Sequence, residues 1–314
     1  MATVRIGTRA SALARWQTDH VIALWREREP GLAVTIVDLT TQGDDLPEAP
    51  LEVMEGTGFF TSTLERALLE GRIDVAVHSM KDLPTAVTPG LAVAAIPTRG
   101  PVEDALCARD GLKLARLPAG ARVGTSSVRR TAQLRALRAD LDYRALRGNV
   151  PTRLSRVAAG DLDAVVLARA GLVRLGLAER VTEVFKVEAV LPAPAQGALA
   201  LQARADDAAL IRRLATMDHE GTRQAVAAER EVLRLLRGGC SVPVGALARL
   251  DGAQVSVDAG VFAPAGDRRV RVQVTGASPE AAGAEAACQL LARGAREILA
   301  ALDRTPKVAG GVGP

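Results

Sequence analysis

A short apolar run in the first third of the chain ends abruptly in four polar residues, His78, Ser79, Lys81 and Asp82. Pro84 then stops any regular continuation, because proline has no N–H to donate. An open α/β sheet places its ligands at the carboxyl ends of its strands, and a cation and a carboxylate stand here at such an end. The same residues also suit an ordinary strand followed by a solvated turn, since loops collect polar side chains. The rest of the chain must decide between these interpretations.

A cluster of arginines is the second group suited to chemistry. Residues 122–156 include nine arginines and only two acids, a local net charge of +7 in a chain whose formal net charge is +4. Guanidinium groups bind carboxylates and phosphates because their planar fork donates to two oxygens at once. In segment 124–130 hydroxyl residues precede two arginines at a predicted helix start, where cations oppose the helix dipole and a bound anion would be favoured. Segment 146–153 repeats this arrangement, so the pattern predicts an anion site.

The chain has three cysteines, Cys107, Cys240 and Cys288. This odd number, without metal-ligand spacing, indicates neither a disulfide framework nor a metal site. Cys107 lies in an apolar strand pattern and Cys288 on the Ala/Leu face of the last predicted helix, so both are predicted to be buried. Cys240 follows two glycines in a loop, and an accessible thiol there could be a nucleophile or a covalent attachment point.

Composition narrows the class of protein. The 314 residues are 48% hydrophobic, which is enough for two or three domains with real cores. Aromatic residues are scarce and the total charge is nearly balanced, which argues against nucleic-acid binding. No apolar run reaches transmembrane length and the N-terminus lacks the pattern of an export signal. We therefore expect a reduced, cytoplasmic protein that acts on neither nucleic acid nor membrane.

Strand and helix patterns alternate along most of the chain, and they must position these groups. The first predicted elements are strands near 4–7, 34–39, 73–78 and 91–96, helices over 12–28 and 60–70, and a polar loop over 40–58. This order indicates an α/β domain with a mostly parallel sheet. A second α/β pattern follows a Pro/Gly-rich crossing at 97–101, and another crossing at 191–197 precedes a possible return to the first domain. A cleft between two such lobes is a usual place for a ligand.

The last third of the chain predicts a small α+β domain with a three-stranded antiparallel sheet. Its predicted elements are a long helix ending near Arg237, strands near 244–250, 253–262 and 269–275, and a final helix over 279–302. The predicted domains are lobe 1 (1–97 and 198–216), lobe 2 (102–192), the C-terminal domain (218–304) and a disordered Gly-rich tail (305–314).

Six motifs in matching order resemble the porphobilinogen deaminase family, also called hydroxymethylbilane synthase, over about residues 3–302. They are Ile6-Gly-Thr-Arg-Ala-Ser11, Asp74-Val-Ala-Val-His-Ser-Met-Lys-Asp-Leu-Pro84, Val123-Gly-Thr-Ser-Ser-Val-Arg-Arg130, Leu146-Arg-Gly-Asn-Val150 with Thr152-Arg-Leu-Ser155, Ala170-Gly-Leu-Val-Arg-Leu-Gly176 and Gly238-Gly-Cys-Ser-Val-Pro243. The resemblance implies two α/β lobes of the type II periplasmic-binding-protein kind, followed by a Cys-bearing third domain. It also implies a monomer.

The resemblance implies a dipyrromethane cofactor joined by a thioether to Cys240. Four porphobilinogen molecules would be condensed head-to-tail on it with loss of ammonia, releasing linear hydroxymethylbilane for tetrapyrrole biosynthesis. Each pyrrole carries an acetate and a propionate, so a growing chain accumulates carboxylates, and this accounts for the arginines without phosphate.

Motif by motif, the resemblance also implies the roles of single residues. Asp82 would bond the pyrrole N–H groups, stabilise the azafulvenium cation that forms as ammonia leaves, and assist proton transfer. The residues implied to hold the cofactor carboxylates are Lys81, Ser127, Arg129 and Arg130. The residues implied to bind the incoming substrate or the elongating chain are Arg9, Ser11, Arg147, Arg153 and Arg174.

The loop before Phe60 departs from the family pattern. Two lysines common there are replaced by Val53 and Thr57, so we expect closure through glycines and Phe60 instead. One alternative is a two-lobed module that binds an anionic solute or senses it without catalysis. That alternative explains the lobes and the arginines, but it explains neither the third domain nor an exposed Cys240.

Overall fold

The computed structural model describes residues 3–39, 61–236, 242–252 and 254–304. The strands within these residues are β1 (Val4–Thr8), β2 (Val34–Asp38), β3 (Val75–Ser79), β4 (Leu91–Ala95), β5 (Asp104–Ala108), β6 (Arg122–Gly124), β7 (Asp142–Arg144), β8 (Ala164–Ala168), β9 (Glu183–Val184), β10 (Leu199–Arg204), β11 (Val244–Asp251), β12 (Gln254–Phe262) and β13 (Arg269–Gly276). The helices are α1 (Ala12–Arg28), α2 (Ser62–Leu69), α3 (Val128–Leu137), α4 (Val150–Ala158), α5 (Arg169–Arg174), α6 (Ala208–Ala215), α7 (Glu220–Leu235), α8 (Pro279–Leu290) and α9 (Arg296–Arg304). The predicted loop 40–58 and the predicted tail 305–314 lie outside the described residues.

Two five-stranded sheets of the same topology form lobe 1 and lobe 2. Lobe 1 has the strand order β2-β1-β3-β10-β4 and lobe 2 has β7-β6-β8-β5-β9. In each sheet a central strand is antiparallel to its neighbour: β10 runs against β3, and β5 against β8. The predicted α/β class is confirmed, and the chain leaves lobe 1 after β4 and re-enters it at β10. The domain limits given above stay a prediction.

The two lobes share a brace between an aspartate and two arginines. In lobe 1 Asp74, just before β3, accepts the backbone N–H and the guanidinium of Arg5 at 2.7–3.0 Å and an N–H of Arg204 at 3.2 Å. In lobe 2 Asp163, just before β8, accepts the backbone N–H of Arg122 at 2.8 Å, its guanidinium, and a bond from Arg109. The brace fixes the position of the central strand against its neighbours in both lobes.

Close packing requires a glycine near the carboxyl end of β1 and of β6. A Cβ on Gly7 would clash with Ile73, and a Cβ on Gly124 would lie 2.6 Å from Leu162 Cδ1 and 2.9 Å from Leu146 Cδ2. Protein interiors have no free volume for such an atom. These contacts hold the strand ends that carry the candidate residues close to the segment before β3 or β8.

The third domain is an antiparallel sheet in the order β11-β12-β13, with α7 and α8 packed on it. This confirms the predicted α+β domain. Its core includes Val232, Ala259 and Leu290, each of them fully buried. Within the described residues, no helix of any domain is both long and apolar enough to cross a membrane.

A buried carboxylate joins this domain to the two lobes. Glu229 of α7 accepts hydrogen bonds from Nη1 and Nη2 of Arg99, in the first crossing, at 2.7 and 2.8 Å. The same side chain accepts the backbone N–H of Ala195, in the second crossing, at 2.6 Å and that of Ala248, in β11, at 2.9 Å. Glu229 is fully buried, so the position of both crossings depends on the third domain.

Two predictions about the C-terminal end were wrong. The final helix is not continuous: a π-helical turn, Leu291–Ala295, separates α8 from α9, and Gly294 there has φ +99°. Only glycine adopts this conformation readily, so local periodicity did not reveal the break. Cys288 is exposed rather than buried, because α8 turns it away from the Ala-rich face that contacts the sheet. Cys107 is buried as predicted.

Candidate active site

The carboxyl ends of β1 and β3 bring four candidate residues of lobe 1 to one sheet edge, because the strands are parallel neighbours. Arg9 and Ser11 follow β1, and the Ser11 hydroxyl caps α1 by accepting the Ala14 N–H at 3.3 Å. Lys81 and Asp82 follow β3 in a one-turn 3-10 helix. Asp82 is exposed, and its carboxylate accepts no hydrogen bond from the described side chains.

The corresponding edge of lobe 2 carries hydroxyl and guanidinium groups. Ser127, after β6, caps α3 by accepting the Arg130 N–H at 3.4 Å. Arg147 follows β7, the parallel neighbour of β6. Arg153 lies in the first turn of α4 and donates from Nε to the Gly148 carbonyl at 2.7 Å. Each sequence-predicted arginine of this lobe edge thus follows a strand end, as the motif pattern indicated.

Arg129 and Arg130 are buried against an aspartate that the sequence analysis did not single out. Asp104, the first residue of β5, is fully buried. Its Oδ2 accepts Arg129 Nη1 at 2.8 Å, and its Oδ1 accepts Arg130 Nε at 3.0 Å and Nη2 at 2.7 Å. Burial alone would raise the pKa of the Asp104 carboxyl, but the charges and hydrogen bonds of the two arginines hold that pKa well below its usual range.

Gln196 links this group to lobe 1. Its Nε2 donates to Asp104 Oδ1 at 2.9 Å and to the Val102 carbonyl at 2.7 Å, while its Oε1 accepts Lys81 Nζ at 3.4 Å. We call Asp104, Arg129, Arg130, Gln196 and Lys81 the Asp104 network. Within it the pKa of Lys81 is lowered, first by burial and then by the two arginines, with Asp82 and Asp104 opposing the shift. The network therefore brings charged side chains of both lobes together.

Two further predicted arginines, Arg153 and Arg174, have different surroundings. The pKa of Arg153 is lowered by burial and by the charge of Arg130, so Arg153 belongs to the same positive region. Arg174 instead bridges the lobes at the second crossing. It donates to the Gly197 carbonyl at 2.6 Å, and its guanidinium lies 5.8 Å from the ring centre of Trp16 in α1. Burial lowers the pKa of Arg174 to about 10.

The donor set fits a ligand that carries carboxylates. Arg129 Nε is buried and has no hydrogen-bond acceptor among the described residues. A buried guanidinium N–H without a partner is costly, and an anionic group would satisfy it. The Asp104 network contains three cations and one carboxylate. Its positive excess also favours binding of an anion. The dipyrromethane cofactor that the family resemblance implied carries such carboxylates.

Two residues that the family resemblance implied lie outside the part of the chain that the structure describes. They are Cys240, implied as the thioether site, and Phe60, implied to act in loop closure. Two residues of the network, Asp104 and Gln196, were missed as site residues. A signal did exist for Asp104, since an acid that opens an otherwise apolar strand directly after an interdomain crossing has no packing reason to be there.

Comparison with known proteins agrees with the family resemblance over most of the chain. The family profile described as "Porphobilinogen deaminase, dipyromethane cofactor binding domain" matches residues 4–212, and that described as "Porphobilinogen deaminase, C-terminal domain" matches residues 223–292. A porphobilinogen deaminase of Desulforudis audaxviator is 50% identical over 299 residues, covering 95% of this chain and 97% of the relative. One from Mycolicibacterium paratuberculosis is 49% identical over 315 residues, covering 96% and 98%.

Solved structures of binding proteins are more distant. The methionine binding protein MetQ has a TM-score of 0.45 and 13% identity, covering 68% of this chain and 89% of that one. The VFT2 domain of Bordetella pertussis BvgS has a TM-score of 0.41 and 18% identity, covering 73% and 91%. Both TM-scores are below 0.5, and the evidence for the two lobes is the pair of five-stranded sheets of this chain.

Proposed function

The chain belongs to the porphobilinogen deaminase family, the hydroxymethylbilane synthases of tetrapyrrole biosynthesis, and we propose that it condenses four porphobilinogens head-to-tail on a dipyrromethane held by Cys240. The product would be linear hydroxymethylbilane, with one ammonia lost per condensation. The observation that carries the proposal is the Asp104 network: it joins Arg129, whose buried Nε has no acceptor among the described residues, to Lys81, the neighbour of Asp82 in lobe 1. A chain of pyrroles with acetate and propionate groups matches this charge.

Holding the carboxylates is the role we propose for the cations. Arg129, Arg130 and Lys81, with the Ser127 hydroxyl at the helix start, would bind the cofactor. When bound, the cofactor would supply the terminal pyrrole carbon to which the first new unit is joined, and each later unit would join the ring added before it. The residues proposed to bind the incoming substrate are Arg9, Ser11, Arg147, Arg153 and Arg174. Because guanidinium forks are planar, they fix the ring orientation as well as the charge.

Asp82 is proposed to do the chemistry. Its carboxylate accepts the pyrrole N–H and stabilises the positive charge that develops as the C–N bond of the aminomethyl group breaks and ammonia leaves. A C–C bond then forms to the methylene carbon. The proton displaced from the attacked ring carbon must be removed, and Asp82 can accept it. Exposure of Asp82 at the strand end leaves room for a substrate ring beside it.

The remaining parts of the proposal concern the cellular setting. The described cysteines, Cys107 and Cys288, are free thiols, which suits a reducing compartment, and we propose that the enzyme works in the cytoplasm as a monomer. Its partner would be porphobilinogen. We propose no role for nucleic acid, because the clustered cations are assigned to the carboxylates of the substrate and the cofactor.

Denaturing mass spectrometry of the purified chain tests the proposal. The wild type should carry a covalent adduct of two pyrrole units, and Cys240→Ser should have its unmodified mass. Cys288→Ser is the matched control, since it removes an exposed thiol elsewhere and should keep the adduct. An unmodified wild type in an active preparation would contradict the assignment of Cys240. An unmodified and inactive wild type that still binds porphobilinogen would favour the solute-binding alternative.

A further inference from the structure

We propose that Asp104 is a positioning residue for the carboxylate-binding site: it orients Arg129 and Arg130 directly and Lys81 through Gln196. This inference rests on the proposed function of those cations. Asp104 takes three bonds from the two guanidinium groups and a fourth from Gln196, and it is fully buried. All four hydrogen bonds of its side chain come from Arg129, Arg130 and Gln196.

Comparison of the lobes indicates that Asp104 is not there for stability. Ser79 and Ala168 are equivalent, because each is the fifth residue after the brace aspartate of its lobe. Ser79 pairs with Leu199 and Ala168 pairs with Asp104. Lobe 1 therefore fills this position with a buried leucine, whereas lobe 2 buries a charge. Burying an ion pair rarely stabilises a fold more than an apolar residue does, so the charge calls for another explanation.

The hydrogen bonds of the arginines show what Asp104 leaves for a ligand. Arg129 Nη1 donates to Asp104 and to the Leu191 carbonyl at 2.6 Å, so among the described residues the donors left without an acceptor are Nη2 and the buried Nε. Arg130 uses Nε and one N–H of Nη2 on Asp104 and one N–H of Nη1 on the Val166 carbonyl. Each guanidinium is thus held on one edge while donors on another edge stay available. This is the arrangement that a planar carboxylate requires.

Gln196 connects Asp104 of lobe 2 with Lys81 of lobe 1. Its backbone is held on both sides by unusual conformations, since Ala195 has φ +62° and Gly197 has φ +87°. A Cβ on Gly197 would lie 2.6 Å from the carbonyls of Gly100 and Pro101, so only glycine fits where the two crossings touch. From this fixed point the Gln196 side chain bonds Asp104 with one end and Lys81 with the other.

If Asp104 acted only through its charge, the Asp104→Asn variant would change the capture of carboxylates in the opposite direction from the one that a positioning role predicts. Asp104→Asn has nearly the same shape and raises the net charge of the site by one, so attraction alone would strengthen the capture of carboxylates. If Asp104 acts by orienting the guanidinium groups, the same variant must weaken capture, because Asn can accept only on one side. The sign of the change therefore separates the two roles.

The test follows the loading of the cofactor as well as turnover. Variants are produced without porphobilinogen, porphobilinogen is added, and the fraction of chains carrying the two-pyrrole adduct is measured against time by denaturing mass spectrometry. We expect Asp104→Asn to load at least about tenfold more slowly, as the loss of hydrogen bonds to charged groups implies. Asp104→Glu should restore part of the rate. Gln196→Leu should slow loading less, and it should add little in the Asp104→Asn background.

Asp163→Asn is the matched control. It removes an equally shaped carboxylate that also binds two arginines of lobe 2, at the end of the strands away from the site. We expect it to lower the melting temperature but to load within about twofold of the wild type, the limit set by general effects on stability. Should Asp104→Asn not fold, Asp104→Glu and Gln196→Leu still test the proposal against this control.

The outcomes distinguish this inference from the function on which it rests. If the wild type never acquires the adduct, the proposed function fails. If the wild type loads and Asp104→Asn loads at the same rate or faster, only the positioning role is wrong. Equal slowing in Asp163→Asn and Asp104→Asn would also overturn it, because the effect would then come from the stability of lobe 2.

Discussion

Lobe 1 and lobe 2 share one arrangement of strands and helices, which we call the frame, but they carry different polar residues at their site edges. Both use the same strand order, the same Asp–Arg brace and a serine that caps the helix after β1 or β6. At the end of the central strand, however, lobe 1 has Lys81 and Asp82 where lobe 2 has Ala170 and Gly171, counted from the brace aspartates. The catalytic carboxylate is therefore proposed for one lobe alone.

The helix starts show the reverse pattern. Counted from the capping serines, lobe 2 has Arg129 and Arg130 where lobe 1 has Leu13 and Ala14. The arginines require a buried acid, and lobe 2 supplies it in the strand position that lobe 1 gives to leucine. A repeated frame can thus place two different half-sites at facing edges, with one half for chemistry and the other for anion binding.

The largest effect is expected where the lobes differ in chemistry. Asp82→Asn should keep the two-pyrrole adduct but lower kcat by about 100-fold or more, the usual loss when one stabilising group of a transition state is removed. Steady-state kinetics and the intact mass check the two parts separately. Asp110→Asn is the control. Asp110 is exposed just after β5, at the end of that strand away from Asp104, and its φ of 57° is tolerated by asparagine. Normal turnover in Asp82→Asn would remove Asp82 from the proposed mechanism.

A second difference lies inside the central strands. His78 of β3 is buried where β8 has Leu167, and burial lowers the pKa of His78 to about 4. Gln202, whose Nε2 donates to Glu65 at 2.9 Å, opposes this lowering of the pKa of His78. Because the unfolded chain binds the proton with an ordinary pKa, stability should be lost as pH falls from about 6.5 towards about 4. Lobe 1 should therefore be the more acid-sensitive lobe.

His78→Leu, which copies the residue of lobe 2, tests this difference. Between about pH 7.5 and about pH 5 the wild type should lose about 2 kcal/mol more unfolding free energy than the variant, as measured by urea denaturation at each pH. The comparison of slopes is independent of any constant loss of packing in the variant. Parallel curves for the two proteins would show that His78 is not the group responsible.

The smallest effect is expected where the lobes are alike. Asp74→Asn and Asp163→Asn each remove the carboxylate of one brace, and each should lower the melting temperature by roughly 2–4 °C without changing KM. Calorimetry gives the first value and kinetics the second. A change of KM in one variant alone would show that its brace also shapes the site, and the frame would then not be equivalent in the two lobes.

Much of this arrangement could be predicted from local patterns. Alternating strand and helix signals predicted both lobes, and polar residues after apolar strands predicted the two site edges. The break at Gly294 and the exposure of Cys288 were not predictable in the same way. Both depend on how the last helix meets the sheet, and an Ala-rich helix has apolar residues on several faces. Arg174 was predicted from a motif, but its contacts with Trp16 and Gly197 come from packing between the lobes.

The sequence by itself determined which residue types were available for chemistry: a carboxylate and an ammonium after one strand, arginines at the helix starts, and glycines at the close contacts. Only the tertiary structure decided that Asp104 holds Arg129 and Arg130, 25 and 26 residues away, and meets Gln196, 92 residues away. The physical reason is that strand register and interdomain crossings create these contacts. Local periodicity records which face of an element is buried, and it carries no information about which distant polar group will be buried against it.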